Sequence, residues 1–332
     1  MVVIHSYAWA VFLAFITMLC WGSWANTQKL ATKKWPFQLF YWDYAIGVLL
    51  LSLILAFTAG STGNDGRSFI ADLSQANLSS LGSAFLGGVV FNIANILLVA
   101  AISIAGMAVA FPIGIGLALA LGVVVNYIAT PLGNPVILFT GVAFVVVAII
   151  LDAKAYRKLP GQTESPTKGI VISLLAGVLM GFWYYFVAGS MASDFVNPGA
   201  GKLTPYTASV IMAVGLLVSN FLWNTIFMYK PLTGEKVTYM DYIKKGDTRL
   251  HLIGLLGGAI WSLGTTVNII AAEQAGFAIS YGLGQGATLI AALWGVFIWK
   301  EFKGAKGVNG LLTAMFLFFF VGLALIIAAR LY

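Results

Sequence analysis

Apolar runs long enough to cross a membrane recur along the whole chain, and they limit the possible folds more than any other feature. About 18 apolar residues, rising about 1.5 Å each in a helix, span the hydrocarbon core of a bilayer. Of the 332 residues, 60% are hydrophobic and 9% are charged, too few polar residues to cover a soluble domain. A membrane barrel would alternate apolar and polar residues in short segments, whereas the runs in this chain are apolar throughout. The sequence therefore predicts an all-α integral membrane protein.

Charged residues and Gly- or Pro-marked breaks divide the apolar sequence into ten predicted transmembrane helices. These spans cover residues 7–28, 36–59, 80–103, 107–128, 133–152, 168–191, 205–229, 250–271, 275–299 and 307–329. Each span is longer than the roughly 17 residues that the thinnest crossing requires.

The basic residues predict the orientation of these spans. Of the 18 basic residues, only Arg67, Lys202 and Arg330 fall on one side, and the other fifteen fall in alternate connections. The fifteen are Lys29, Lys33, Lys34, Lys154, Arg157, Lys158, Lys168, Lys230, Lys236, Lys244, Lys245, Arg249, Lys300, Lys303 and Lys306. Because cytoplasmic connections are enriched in Lys and Arg, we expect both termini outside, in an inner (plasma) membrane. The net charge of +7 then reflects topology, and no nucleic-acid partner is expected.

The chain contains an internal repeat. With an offset of 170 residues, Leu86-Gly87-Gly88 aligns with Leu256-Gly257-Gly258, and Gly114 aligns with Gly284. These matches predict two five-helix repeats, residues 1–153 and 168–332, joined by a short cytoplasmic linker, residues 154–167. An odd number of helices in each copy inverts the second copy in the membrane. Inverted repeats are typical of secondary transporters, which bind substrate near the midplane between the two copies.

Polar and aromatic side chains recur at helical spacing inside several spans, and we predict that they bind substrate. They are Trp21, Trp24, Asn92, Asn95, Trp183, Tyr184, Trp261, Thr265, Asn268, Tyr281 and Gln285. Spacings of three or four residues place such side chains on one helix face, and amides facing lipid would be costly. An aromatic wall with a few polar groups suits a nucleobase-like ring or the apolar face of a sugar. For Asn92 and Asn95, hydrogen bonding between helices is an equal alternative.

One acidic residue, Asp43, is predicted to lie inside the hydrocarbon region. A carboxylate there is costly and often carries a proton, so Asp43 is the main candidate for proton coupling. The alternative for Asp43 is a structural place near a helix start within an interfacial aromatic belt. Glu273, in a predicted tight outer turn, is a second candidate. Glu301 lies among lysines and is expected to be solvated.

Several segments resemble the ureide permease family. They are residues 19–24, 41–44, 87–90, 141–143 and 291–296, with the sequences LCWGSW, YWDY, GGVV, GVA and AALWGV. The glucose/ribose porters and rhamnose-proton symporters are similar families of the same drug/metabolite transporter superfamily. The resemblance implies ten helices and proton-coupled uptake of a small polar solute, either a ureide or nucleobase or a monosaccharide. Plant members have a long central loop with a phosphate-loop-like motif, and residues 153–167 are short and lack it.

These observations favour a transporter over an enzyme. An intramembrane enzyme would need a nucleophile with a base, paired acids or metal ligands in one pocket, whereas His5 and His251 lie near span ends. Cys20 is the single cysteine, so we expect no metal or other cofactor. The expected partners are a small neutral substrate, protons and the bilayer. Export of drugs or metabolites, uncoupled facilitation, and a receptor or scaffold role remain as alternatives.

Overall fold

The computed structural model describes residues 1–31, 35–159, 167–232 and 234–332. Two of the fifteen basic residues assigned to the cytoplasm, Lys33 and Lys34, and residues 160–166 of the predicted linker lie outside the described residues. The helices are α1 Tyr7–Ala31, α2 Phe37–Phe57, α3 Phe69–Gln75, α4 Leu78–Ala105, α5 Met107–Ala129, α6 Pro135–Tyr156, α7 Thr167–Ser190, α8 Pro205–Tyr229, α9 Tyr239–Lys245, α10 Thr248–Ala275, α11 Phe277–Gly284, α12 Ala287–Leu293 and α13 Asn309–Ala328. In these ranges the chain is all-helical, with one isolated bridge between Met191 and Leu203.

Each predicted span has a helix in its place, and the predicted and observed ends differ by at most four residues. Nine helical segments within the described residues are long and apolar enough to cross a membrane. At the place of the fourth predicted span, α5 contributes a shorter apolar stretch, Ile113–Ala129. The seven-residue helices α3 and α9 were not predicted, because each is too short and too polar to produce a hydrophobic signal.

Local sequence explains where α4 and α10 begin and end. Asn77 caps α4 by accepting a hydrogen bond from the backbone of Ser80 at 2.7 Å, and Asp247 caps α10 in the same way. Both helices end at a glycine with positive φ, Gly106 at 75° and Gly276 at 86°. A glycine adopts this conformation without the penalty that a Cβ atom would add.

Close glycine contacts join the helices around the centre. A Cβ atom at Gly258 on α10 would lie 2.0 Å from the carbonyl oxygen of Tyr44 on α2. At the corresponding place, a Cβ atom at Gly88 on α4 would lie 2.0 Å from the carbonyl oxygen of Met212 on α8. The helices α1 and α10, α4 and α7, α5 and α7, and α6 and α13 also pack against each other. Small residues permit this close approach of helix backbones in membranes.

The predicted span at residues 275–299 corresponds to one apolar segment, Phe277–Ile298, whose helix is interrupted. Its helix ends at Gly284, resumes at Ala287 and continues after Leu293 as a π-helical turn, Trp294–Ile298. Glycine has a poor helix propensity, and glycines flank Gln285 on both sides. The Trp21 ring also approaches this point, 2.7 Å from where a Cβ atom of Gly284 would lie.

We call the end of the bundle where α1, α6 and α8 finish the basic end, because Lys29, Lys154 and Lys230 lie there. At the opposite end, Arg67 joins the connection before α4 to the connection before α8. It pairs with Asp72 on α3 at 2.9 Å and donates to the carbonyl oxygens of Pro198 and Lys202. Asp72 is fully buried and also accepts from the backbone of Thr204 at 2.7 Å. The connection between α2 and α3, the helix α3 and the connection between α7 and α8 are therefore fastened together at this end.

Candidate functional site

A cavity of about 390 Å³ extends from the middle of the bundle to the basic end. This volume lies within the range of small-molecule sites in proteins. The cavity is bounded by α1, α4, α5, α6, α7, α10 and α12, and by Gln285 in the break before α12. Aromatic rings cover much of its wall, from Trp21, Trp24, Phe91, Trp183, Trp261, Trp294 and Trp299.

Aromatic contacts fix the inner part of this wall. The rings of Trp21 and Trp261 are nearly parallel, with an interplanar angle of 12° and centroids 6.3 Å apart. Phe91 stacks on Trp261 at 4.3 Å, and Trp183 meets Trp21 edge-on at 6.1 Å. The Trp21 indole N–H donates to the Thr265 hydroxyl at 3.1 Å. Since that donor is already bound within the protein, Trp21 offers its ring to a ligand.

Nearer the basic end, two more tryptophans donate their indole N–H groups to protein atoms. Trp294 donates its indole N–H to the Ser23 hydroxyl at 2.9 Å, and Trp299 donates to the Asn26 side-chain oxygen at 2.6 Å. Lys29 lies over the Trp299 ring, 4.3 Å from its centroid. Ring faces rather than indole donors therefore form this part of the wall.

The structure brings six of the eleven predicted substrate-binding residues to the cavity. They are Trp21, Trp24, Asn95, Trp183, Trp261 and Gln285. Asn95 also donates to the Tyr41 hydroxyl at 3.2 Å, which fixes its side chain at the boundary between α4 and α2. Gln285 lies in the break between α11 and α12, so the interruption of the helix places a polar side chain on the wall.

The other five predicted residues lie behind the wall. Asn92 donates to the Leu216 carbonyl oxygen and to the Ser219 hydroxyl at 2.9 Å, which links α4 to α8. Asn268 donates to the Ser280 carbonyl oxygen at 2.9 Å, and its side chain does not line the cavity. Thr265 supports Trp21, as described above. These contacts match the alternative that polar side chains in membranes join helices.

Tyr184 and Tyr281 are fully buried behind Trp183. The two tyrosine rings lie 5.3 Å apart, and Tyr281 lies 6.4 Å from Trp183. The Tyr281 hydroxyl donates to the Met180 carbonyl oxygen at 3.1 Å. Both rings therefore support the indole that forms the cavity surface.

Asp43 does not line the cavity. Its carboxylate lies 2.9 Å from His251 Nδ1, and it accepts hydrogen bonds from Tyr242 at 2.5 Å and from Trp35 at 3.3 Å. These partners come from the segment before α2, from α9 and from α10. Asp43 is thus the centre of a polar cluster that joins three parts of the chain near the basic end.

Glu273 also lies away from the cavity. The sequence placed it in a turn, but α10 continues to Ala275, so Glu273 belongs to the last turn of this helix. One carboxylate oxygen accepts from the backbone of Phe195 at 2.5 Å. Glu273 therefore connects α10 to the segment between α7 and α8 at the end opposite the basic end.

Sequence reasoning missed four ionisable residues of the cavity wall, namely Lys29, Asp152, Tyr156 and Glu301. Glu301 was expected to be solvated, but it accepts from Lys29 at 2.5 Å and from the Tyr156 hydroxyl at 2.6 Å. Only 27% of its side chain is exposed. The spacing of four residues between Asp152 and Tyr156 was a usable signal, because it places both on one helix face. Asp152 was passed over because it falls at the last position of a predicted span.

Comparisons with known proteins identify the family of this chain. The sequence model of the ureide permease family matches residues 40–161 and 156–329. The chain belongs to the ureide permease family. It is a multi-pass membrane transporter of small solutes, and its relatives are named permeases and uptake proteins, not enzymes.

Individual relatives cover nearly the whole chain. Ureide permease 2 of Arabidopsis thaliana is 23% identical, over 99% of this chain and 98% of its own length. The glucose uptake protein GlcU of Bacillus subtilis is also 23% identical, over 96% of each chain. One solved crystal structure aligns with a TM-score of 0.58 over 95% of both chains at 12% identity, which shows a common fold.

Proposed function

We propose that this permease takes up a small neutral polar solute by alternating access, in symport with protons. The substrate belongs to one of two classes. The first comprises ureides, nucleobases and similar nucleosides, and the second comprises monosaccharides. The observation that carries the proposal is the cavity wall, where Trp21, Trp183 and Trp261 surround a space that also meets the amides of Asn95 and Gln285. Relatives named for ureides and for glucose fit these two classes.

The physical chemistry of the wall favours these substrates. Aromatic faces stack on flat rings and also pack on the apolar face of a sugar. Amide side chains both donate and accept hydrogen bonds, as the rims of ureides, bases and sugars require. Among the described residues of the wall, two carboxylates, Asp152 and Glu301, outnumber the single lysine, Lys29, which disfavours an anionic substrate.

Our proposal for the architecture is ten transmembrane helices in two inverted repeats of five. Residues separated by 170 positions have the same structural roles in the two halves of the chain, which supports the repeat. Asn77 and Asp247 cap α4 and α10, and Gly106 and Gly276 end them. Gly88 packs on α8 as Gly258 packs on α2. In this arrangement α5 is the tenth span, and rocking of the repeats would expose the cavity alternately.

We further propose that the protein lies in the plasma membrane with the basic end in the cytoplasm and both termini outside. The distribution of Lys and Arg over the connections supports this orientation. The cavity, which reaches Lys29 and Glu301, then faces the cytoplasm.

Asp43 and Glu273 are the proposed proton-coupling residues derived from the sequence. Asp43 contacts His251 on α10, so a change in its protonation would alter the contact between α2 and α10. Glu273 holds the backbone of Phe195 at the other end of α10. In this proposal both act on helix contacts, at a distance from the substrate.

Uptake into proteoliposomes tests the proposal. The purified protein is assayed with radiolabelled allantoin, uracil and glucose, with the outer buffer at lower pH than the lumen. We expect one class to accumulate against its gradient and to leak out when a protonophore is added. Absence of uptake of all three would contradict the substrate classes, and accumulation that resists the protonophore would contradict proton coupling alone.

A further inference from the structure

Asp152 is a buried carboxylate on the wall of the substrate cavity. It lies one turn before the end of α6 and is only 9% exposed. Its Oδ1 atom is inaccessible to solvent and has no hydrogen-bond partner among the described residues. An ionised carboxylate without a partner is costly to bury. Binding of a proton or a ligand at this atom would remove that cost.

The lysine and the tyrosine of the described cavity wall are already engaged. Lys29, the only basic residue on the described cavity wall, binds Glu301 at 2.5 Å and lies over the Trp299 ring. Tyr156, one helical turn from Asp152, donates its hydroxyl to Glu301 at 2.6 Å. Glu301 is thus neutralised by its neighbours, whereas Asp152 is not.

Other elements packed against α6 add no cation at this place. The one titratable residue of α5 is Tyr127, which lies near the opposite end and donates to the Gly133 carbonyl oxygen. The helix α13 contains no titratable residue. The basic residues of the α6 terminus, Lys154, Arg157 and Lys158, are exposed.

We propose that Asp152 binds the proton that moves with the substrate, directly on the cavity wall. This inference rests on the proposed symport and adds a protonation site that contacts the substrate space, unlike Asp43 and Glu273. The carboxylate takes a proton from water when the cavity faces outside and becomes a neutral acid. It then returns the proton to water at the basic end, after the substrate has left.

The direction of the coupling follows from the charge. A neutral Asp152 can donate as well as accept a hydrogen bond. Bound substrate then does not bury an ionised carboxylate that has no partner. Substrate should therefore bind more tightly to the protonated protein, and each binding event should take up one proton. By linkage, the Kd of the wild type should rise by up to about tenfold per pH unit above the midpoint of the titration.

Equilibrium binding of radiolabelled allantoin, uracil and glucose to the detergent-purified protein between pH 5 and pH 8 tests this. With Asp152→Asn, which is neutral at every pH, we expect a Kd that changes less than about twofold over this range. Asp152→Glu, which restores a titratable group, should restore the slope. Glu235→Gln removes an exposed carboxylate of a connection and should keep the wild-type slope.

The possible outcomes separate this inference from the proposed function. A pH slope that persists in Asp152→Asn, or a wild type whose Kd does not depend on pH, overturns the assignment of Asp152 and leaves the transport proposal intact. If the wild type binds none of the three compounds, the proposed substrate classes fail and the assignment fails with them. Should Asp152→Asn not fold, a wild-type slope in Asp152→Glu with a displaced midpoint would support the assignment, and an unmoved midpoint would overturn it.

Discussion

Gly258 packs directly against the backbone of Tyr44. A Cβ atom at Gly258 would lie 2.0 Å from the Tyr44 carbonyl oxygen and 2.8 Å from the backbone nitrogen of Val48. Neither of these neighbours is the end of a flexible side chain, so the contact between α2 and α10 has no room for a methyl group.

Gly258→Ala is therefore expected to lower the free energy of unfolding by about 1–3 kcal/mol, the usual cost of overpacking. Gly88→Ala should have an effect of the same sign at the contact between α4 and α8. Thermal unfolding in detergent measures both. Gly82→Ala on α4 is the control, because its Cβ would have nothing within 4 Å, and alanine favours a helix. Equal destabilisation by the control would refute the packing argument.

Removal of a cavity ring should weaken substrate binding. For Trp183→Ala we expect a loss of about 1–3 kcal/mol for a stacked ring, or about 5- to 150-fold in Kd. Equilibrium binding of the compound that the wild type transports measures the change. Trp9→Ala is the matched control, since Trp9 is 58% exposed on α1 and packs on Phe12. Unchanged affinity in Trp183→Ala would argue against substrate at this wall.

Asp43→Asn should separate coupling from exchange. The substitution removes the charge that pairs with His251 but keeps the size of the side chain. Concentrative uptake into proteoliposomes is expected to disappear while exchange of labelled for unlabelled substrate stays measurable. Asp65→Asn, which removes a carboxylate of a partly exposed pair with His5, should retain both. Loss of exchange as well, or no effect on uptake, would defeat the role proposed for Asp43.

Asp241 gives α9 a pH-dependent cap. Its pKa is lowered to about 2, first by a hydrogen bond from Lys245 and then by those from Thr238. Because the ordinary value is about 3.9, the stabilisation of α9 is complete above about pH 4 and is lost as the pH falls through about 2. Amide protection factors in α9, corrected for intrinsic exchange, should fall between pH 5 and pH 2. In Asp241→Asn they should already be low at pH 5; equal protection in both proteins would contradict the cap.

The positions of the helices could be predicted because burial in lipid requires long apolar runs, and such runs can be recognised in the amino-acid sequence. The break at Gln285 could not, since an apolar sequence with two glycines is compatible with a continuous helix. The Trp21 ring, which packs against Gly284 at this break, comes from a helix more than 250 residues away in the sequence.

The site was predictable only in part for a similar reason. Asn92 and Asn95 share one face of α4, yet Asn92 meets Ser219 on α8 whereas Asn95 reaches the cavity. Spacing along a helix gives the direction of a side chain and not its neighbour. Asp152 shows the same limit, because its importance depends on which groups Lys29 and Tyr156 have already bound.

The bonds of Arg67 at the end opposite the basic end have a consequence for the speed of the cycle. Under the proposed alternating access, the empty protein would release Asp72 and the carbonyl oxygens of the connection before α8 before its cavity could face that compartment. Arg67 does not line the cavity, so in this scheme its substitution would change the rate at which the empty carrier reopens and not the affinity for substrate.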